Sequence, residues 1–314
     1  MTLHPAFREY LDELNPLVEQ AARNGFVPTP DSARAALAGL NAFALPSTSV
    51  TRVFHAAAGD DGSVPVRVYV PRPDTPSEVI LFVHGGGHMA GDLDVYDPSA
   101  RRTAAATGMV VVSVDYRRSP EALFPEGLTD VYRALHSLDG ALSDVATTGH
   151  VHAVADSGGA AKVASIAMRV AAGEWTSRIE RQVLLYPSLD YTMSGESIRT
   201  FGTGHFLAAE RVQWYFDNYF ADGVDRAAAS PLFGAFSPDM PDTLVIAAEY
   251  DPLLSESKEY VERMRAAGAR ARVIVAPGMI HAFAFFETKV PAAIDRLYEI
   301  IATFLASGEA PEEW

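Results

Sequence analysis

Short, predominantly apolar runs alternate along this chain with stretches of helical periodicity. Residues 79–83, 109–114, 151–155, 183–185, 244–248 and 272–275 read as strands. Residues 98–106, 128–138, 160–171, 208–220, 255–267 and 291–305 carry apolar positions at helical spacing. Strands without polar alternation are buried on both faces, so the pattern predicts an α/β protein whose parallel sheet is covered on both sides. Two earlier extended segments, 49–57 and 64–70, flank Gly59-Asp60-Asp61-Gly62, a hairpin turn signal. In residues 1–45, Leu3, Phe7, Tyr10, Leu11 and Leu14 recur at helical spacing; Pro28 and Pro30 interrupt, and 31–37 reads as a second capped helix. The stretch 190–241 breaks the strand–helix rhythm and reads as a helical insertion over the sheet. No internal repeat or low-complexity tract is present.

The 314 residues suit two domains, or one large α/β domain with a cap. No cysteine is present, which excludes disulfides, thiolate metal sites and a cysteine nucleophile. With 25 Lys+Arg against 40 Asp+Glu, the net charge of −15 argues against nucleic acid and anionic membrane surfaces, both of which need a basic patch. Charges come early at the N-terminus without an apolar run after them, and the longest apolar runs are too short to span a bilayer. The expectation is a soluble, cytoplasmic protein with a frayed acidic tail.

The run after the first parallel strand, His84-Gly85-Gly86-Gly87-His88-Met89-Ala90-Gly91, invites three readings. Gly85-x-Gly87-x-x-Ala90, with Asp115 after the next strand, fits a dinucleotide fingerprint. The helix this motif needs is missing, because Gly91, Asp92 and Pro98 break the segment. His84 and His88 have the spacing of two zinc ligands on a helix, but the glycines between them oppose a helix and no glutamate lies between to act as base. Consecutive glycines after a buried strand cost unfolded-state entropy, and they fit best where backbone N–H groups must point at a ligand. That is the requirement of an oxyanion hole.

Val151-His-Ala-Val-Ala155-Asp156-Ser157-Gly158-Gly159-Ala160 runs from a strand through a serine into a helix, the layout of a nucleophile elbow. Ala155 replaces the first glycine of the strict G-x-S-x-G pattern. Taken alone, such a serine is a helix cap more often than a nucleophile. A serine nucleophile needs a base, and this fold class orders the residues Ser, Asp or Glu, His. Of nine histidines, His281 follows the elbow and lies just past a late strand; His205 falls in the insertion. Asp251 follows the strand at 244–248, with Glu249 as a weaker alternative. Ser157, Asp251 and His281 each sit at the C-terminal end of a predicted parallel strand, where open α/β sheets build their sites.

Together, His84-Gly-Gly-Gly87, Asp156-Ser157-Gly-Gly159, Asp251-Pro-Leu253 and His281-x-Phe283 resemble the bacterial hormone-sensitive-lipase-like carboxylesterases of the α/β-hydrolase fold. Val112-Ser-Val-Asp-Tyr-Arg117, Tyr186-Pro187 and Ser230-Pro-Leu232 add to the match, which spans roughly residues 50–306. The resemblance implies a mostly parallel eight-stranded sheet flanked by helices, with a helical cap. Residues 1–45 would be N-terminal cap helices, 190–225 a cap insertion, and 46–189 with 226–314 the hydrolase core. It implies a serine carboxylesterase acting through an acyl-enzyme on short- to medium-chain esters, with lactones and acetylated small molecules open. Ser157, Asp251 and His281 would be catalytic, Gly85, Gly86 and Gly158 would hold the oxyanion, and His84 and Gly87 would support the loop. His88, Phe206, Trp214 and Phe283 are candidates for the substrate pocket. No cofactor or metal is implied, the partner is a small-molecule ester, and the family often forms homodimers. Two departures stand out: Gly158 where the family usually has alanine, and His88 where it often has an aromatic residue. The competing class, a binding protein on the same fold with its chemistry lost, need not retain Ser157, Asp251 and His281 together.

Overall fold

The computed structural model describes residues 2–314. Its centre is an eight-stranded sheet in the order β1-β2-β4-β3-β5-β6-β7-β8. The strands are β1 Arg52–Ala58, β2 Val64–Val70, β3 Ser77–Val83, β4 Val110–Val114, β5 Thr147–Asp156, β6 Ile179–Leu185, β7 Asp242–Tyr250 and β8 Ala271–Ile280. β1 and β2 pair antiparallel across the expected Gly59–Gly62 turn, closed by Gly62 N–H donating to Gly59 O at 2.8 Å. β2 is antiparallel to β4, and every other neighbouring pair is parallel.

The helices are α1 Pro5–Arg23, α2 Pro30–Gly39, α3 Asp97–Thr107, α4 Glu126–His136, α5 Leu138–Ala141, α6 Ser157–Ala171, α7 Glu196–Phe201, α8 Ala209–Tyr219, α9 Arg226–Ala229, α10 Leu254–Ala266 and α11 Pro291–Ser307. α2 starts one residue before its expected position. Thr29 caps it, exchanging hydrogen bonds with Ser32, and Pro30 fills the first helical position. Among the described residues, no helix is long and apolar enough to cross a membrane.

The apolar strands serve two cores at once. Val79, Leu81 and Val83 of β3 join Val131 of α4, Val163 and Ile166 of α6 and Val261 of α10 on one face. Ile80 and Phe82 join Ala104 of α3, Leu297 and Ile301 of α11, and Phe7 and Leu11 of α1 on the other. Each large apolar side chain so buried stabilises the fold by roughly 1.5–3 kcal/mol before entropy is counted. A strand packed on both sides has no polar face to show, which is why these runs lack alternation.

This topology creates the site. From β3 the chain passes through α3 on one face to β4; it then crosses back over β3 to β5, whose following helix α6 packs on the opposite face. β3 and β5 are neighbours, with Val83 beside Ala155. The loops after them therefore diverge and open a crevice at the C-terminal ends of the strands, the switch point where such sheets take ligands.

Candidate functional site

Ser157 follows β5 directly as the first residue of α6, with φ of +46°. A left-handed backbone costs a non-glycine residue about 1–2 kcal/mol, and here it lifts the hydroxyl clear of the sheet. Ala155, in place of the usual glycine, lies in β5 in regular register with Leu184 and packs its methyl into the core, so the turn accepts it. Gly159 has no such freedom. A Cβ there would lie 2.2 Å from Val83 O and 2.3 Å from His84 O, so glycine alone lets α6 seat against the end of β3.

The structure brings three of the candidate residues into one chain of hydrogen bonds. Ser157 Oγ lies 3.0 Å from Nε2 of His281. Nδ1 of the same ring lies 2.8 Å from Oδ2 of Asp251, whose Oδ1 accepts the Leu253 N–H at 2.9 Å. Asp251 and His281 are both buried. With Nδ1–H donating to the carboxylate, Nε2 is left as an acceptor facing the serine hydroxyl. The two alternatives have other partners. Glu249 accepts the Gly278 N–H at 2.7 Å, and His205 stacks on Tyr250 with ring centres 5.6 Å apart.

The three glycines after β3 have separate tasks. Gly85 N–H donates to Asp156 Oδ1 at 2.6 Å, and a Cβ on Gly85 would lie 2.6 Å from Oδ2 of that residue. Gly85 is therefore not a free oxyanion donor, contrary to the sequence-based expectation. Its N–H is consumed in tethering the loop to the elbow. Gly86 has φ of +106°, and a Cβ there would meet Ala90 O at 2.2 Å. Gly87 has φ of +61°, and the Tyr215 ring occupies the space of its missing side chain. Beside them, a Cβ on Gly158 would lie 3.0 Å from His88 N and 3.4 Å from Gly87 N. The N–H of Gly158, in the first turn of α6, has no intrahelical acceptor. Gly86, Gly87 and Gly158 line the same cavity as Ser157, whereas Gly85 does not.

Buried polar groups brace this loop. His84 stacks on Tyr116 with centres 4.4 Å apart, its Nδ1 is 2.9 Å from Gly85 O, and Tyr116 Oη donates to His84 O at 2.7 Å. Burial holds the His84 imidazole neutral, with its pKa pushed down to about 3. Asp156 also accepts from Tyr96 Oη at 3.0 Å. Burial pushes its carboxyl up to about 6, and the bonds from Tyr96 and Gly85 oppose the rise. Asp156, Tyr96 and Tyr116 were not among the expected site residues. Asp156 and Tyr116 lie inside recognised motifs, so the signal was present but their partners were not legible.

Above Ser157 lies a cavity of about 350 Å³ with a mainly apolar lining. Tyr10 and Leu14 of α1, Leu37 of α2, Phe206 and Leu207 before α8, and Tyr215 of α8 contribute walls. His88 and Phe206 line it as expected, whereas Trp214 and Phe283 lie outside. Trp214 is on the flank of α8, where the Arg211 guanidinium sits 5.4 Å over its ring; its neighbour Tyr215 faces Gly87 instead. Phe283 is fully buried behind His281, edge-on to Tyr186 and Trp314. Phe285, two positions on, reaches the cavity. His84 and His88 have separate partners, and turns rather than a helix occupy residues 84–96.

Such a site can attack a carbonyl carbon, take up the proton released and hold the negative oxygen. Comparisons agree with that chemistry. Residues 80–285 match the family described as the alpha/beta hydrolase fold. The chain is 31% identical over 232 residues to the ethyl acetate hydrolase of Pseudomonas putida, covering 71% of this chain and 72% of that protein. It is 29% identical over 255 residues to the carboxylesterase NlhH of Mycobacterium tuberculosis, covering 78% and 79%. Among solved structures, the hyperthermophilic esterase from Pyrobaculum calidifontis is 31% identical, with a TM-score of 0.86 over 98% of this chain and 99% of that one.

Proposed function

Because the chain belongs to the α/β-hydrolase family, as a carboxylic ester hydrolase of the hormone-sensitive-lipase-like group, we propose that Ser157, His281 and Asp251 form its catalytic triad. The observation that carries this reading is the unbroken relay from Ser157 Oγ to His281 to Asp251 at the floor of an apolar cavity. Ser157 Oγ attacks the ester carbonyl carbon while His281 Nε2 takes the hydroxyl proton. Asp251 holds the imidazole tautomer and stabilises the imidazolium. The carbonyl oxygen becomes an oxyanion, held by the N–H groups of Gly86, Gly87 and Gly158. The intermediate collapses, the C–O bond to the alcohol breaks, and His281 returns its proton to the departing alkoxide. Water then attacks the acyl-enzyme with His281 as base, releasing the acid and restoring Ser157.

The cavity supports short- to medium-chain esters. Residues 1–45 and 190–225 supply much of its wall, and we assign both segments to a cap over the hydrolase core, residues 46–189 and 226–314. A volume of about 350 Å³ is at the small end of ligand pockets, and long acyl chains would need the cap to move. The test is a panel of p-nitrophenyl esters of increasing acyl length. We expect kcat/KM to peak between acetyl and hexanoyl and to fall at least tenfold by dodecanoyl, since a substrate that cannot seat loses its alignment with the nucleophile. Rising activity through dodecanoyl and beyond would overturn the size assignment.

A further inference from the structure

Lys162 lies little more than one turn beyond Ser157 on α6 and is 1% exposed. Lysine is almost never buried without a charged partner. Here, among the described residues, no carboxylate lies within ion-pair distance of it. Asp130 of α4 acts on it through space, but that carboxylate is committed to Arg117, accepting its N–H at 2.9 Å and its Nε and Nη2 at 2.8 Å each. Lys162 Nζ instead lies 2.8 Å from Nδ1 of His88. The face of Tyr116 is 4.1 Å away and that of Tyr219 on α8 is 5.4 Å away, both suited to a cation. Glycine at 127 of α4 makes the room, since a Cβ there would lie 3.3 Å from Lys162 Cε.

His88 is the residue that ends the oxyanion loop. Its ring stacks flat on Tyr219, with centres 3.8 Å apart and Tyr191 edge-on beyond. Its backbone is left-handed, with φ of +64°, and its carbonyl accepts from Ser119 N and Oγ at 2.9 and 3.3 Å. Its own N lies beside Gly87 N and Gly158, in the space where the oxyanion donors converge. With the Lys162 ammonium as the donor, Nδ1 accepts, and the imidazole is neutral with its proton on Nε2. Burial and the neighbouring Lys162 both hold its basicity down. The positive charge of the pair therefore sits on Lys162.

From this geometry we infer that Lys162 is a positioning residue for ester hydrolysis. Its ammonium clamps the His88 ring, fixes the end of the oxyanion loop, and places a buried positive charge behind the donors that receive the developing oxyanion. The inference rests on the proposed triad chemistry and adds a group that never touches substrate. Buried charge acts through a low dielectric, so its effect on an oxyanion survives at a distance where a surface lysine would be screened.

A pH dependence follows. Burial lowers the Lys162 pKa to about 7, with Asp130 opposing. The other titratable groups facing the pair are His84, Tyr116, Tyr191 and Tyr219. The tyrosines are held protonated by burial and His84 is held neutral. Lys162 is charged below its pKa and neutral above it, so kcat should decline as pH rises past neutrality, at a KM that hardly moves.

The experiment compares the wild type with Lys162→Met and His88→Phe on p-nitrophenyl acetate, corrected for spontaneous hydrolysis, from pH 5.5 to 9.5. Methionine fills the lysine's space, and phenylalanine keeps the stack on Tyr219 while removing the acceptor. The wild type should lose kcat through an alkaline limb, and Lys162→Met, which has no amine to titrate, should lack that limb. Both variants should run about 10- to 100-fold slower in kcat at pH 6, the scale of losing an orienting group, and Lys162→Met, which lies outside the cavity lining, should keep KM within twofold. Either folded variant retaining wild-type kcat and the alkaline limb overturns the inference. Stoichiometric labelling of Ser157 by a phosphonate separates this from the triad reading: a labelled wild type matched in kcat by Lys162→Met refutes only the role of Lys162, whereas an unlabelled Ser157 refutes the triad reading itself.

Discussion

Replacing Ser157 with alanine is expected to lower kcat by about 10⁵–10⁶-fold, the scale of losing the nucleophile of such a relay. The substitution removes the oxygen that lies 3.0 Å from His281 Nε2 and leaves the rest of the site in place. Gly86, Gly87 and Gly158 would still present their N–H groups, and the cavity would still bind substrate. A residual rate of about 10³–10⁴ over water should therefore persist, from binding and oxyanion stabilisation alone. Folding should be nearly untouched. Alanine meets the same left-handed backbone at φ +46° as serine does, and the lost hydrogen bond is only partly buried. The expected stability change is within about 0.5 kcal/mol. Thermal melts beside initial rates on a short-chain ester measure both quantities. A folded variant turning over within tenfold of the wild type would place the nucleophile elsewhere.

Asp251→Asn should lower kcat about 10⁴-fold with a small change in KM, because the amide no longer fixes the Nδ1–H tautomer. An amide NH₂ turned toward Nδ1 drives the ring proton to Nε2, where it faces Ser157 and cannot accept from it. The amide oxygen can still take the Leu253 N–H that Asp251 Oδ1 accepts at 2.9 Å, so the loop should hold. Glu249→Gln is the matched control. That carboxylate is bonded to Gly278 N at 2.7 Å rather than to His281, and its removal should leave kcat within a fewfold. Steady-state kinetics on the two variants decides between the acids, and the reverse ordering would transfer the orienting role to Glu249.

The sheet was legible because burial on both faces leaves a signature in composition: runs such as 79–83 and 244–248 have no polar positions. Their ends were less so. β5 begins at Thr147 rather than Val151, because its first four residues carry no apolar run, and among them Thr147 pairs with Ser77 of β3 ahead of a register shift. The order of nucleophile, acid and base along the chain identified the residues that the structure joins. Which donors face the oxyanion was not readable in the same way. Gly85 and Gly87 are equivalent in the sequence; only the approach of Asp156, across the gap between β3 and β5, consumes one N–H and leaves the other. The pocket suffered from the same blindness to rotation. Trp214 and Tyr215 are adjacent on an amphipathic helix, and a small turn of α8 about its axis decides which ring meets Gly87. Lys162 did leave a trace, as a lone charge within the small and apolar residues opening α6. Its reason lies in His88, far along the chain.

The most direct test of the catalytic assignment is covalent capture. The protein is incubated with a p-nitrophenyl alkylphosphonate, and intact mass and peptide mapping locate the adduct. The account predicts one adduct per chain, on Ser157, forming in step with loss of esterase activity and absent from Ser157→Ala. Complete inactivation with the adduct on another residue, or esterase activity persisting after Ser157 is fully modified, would contradict it.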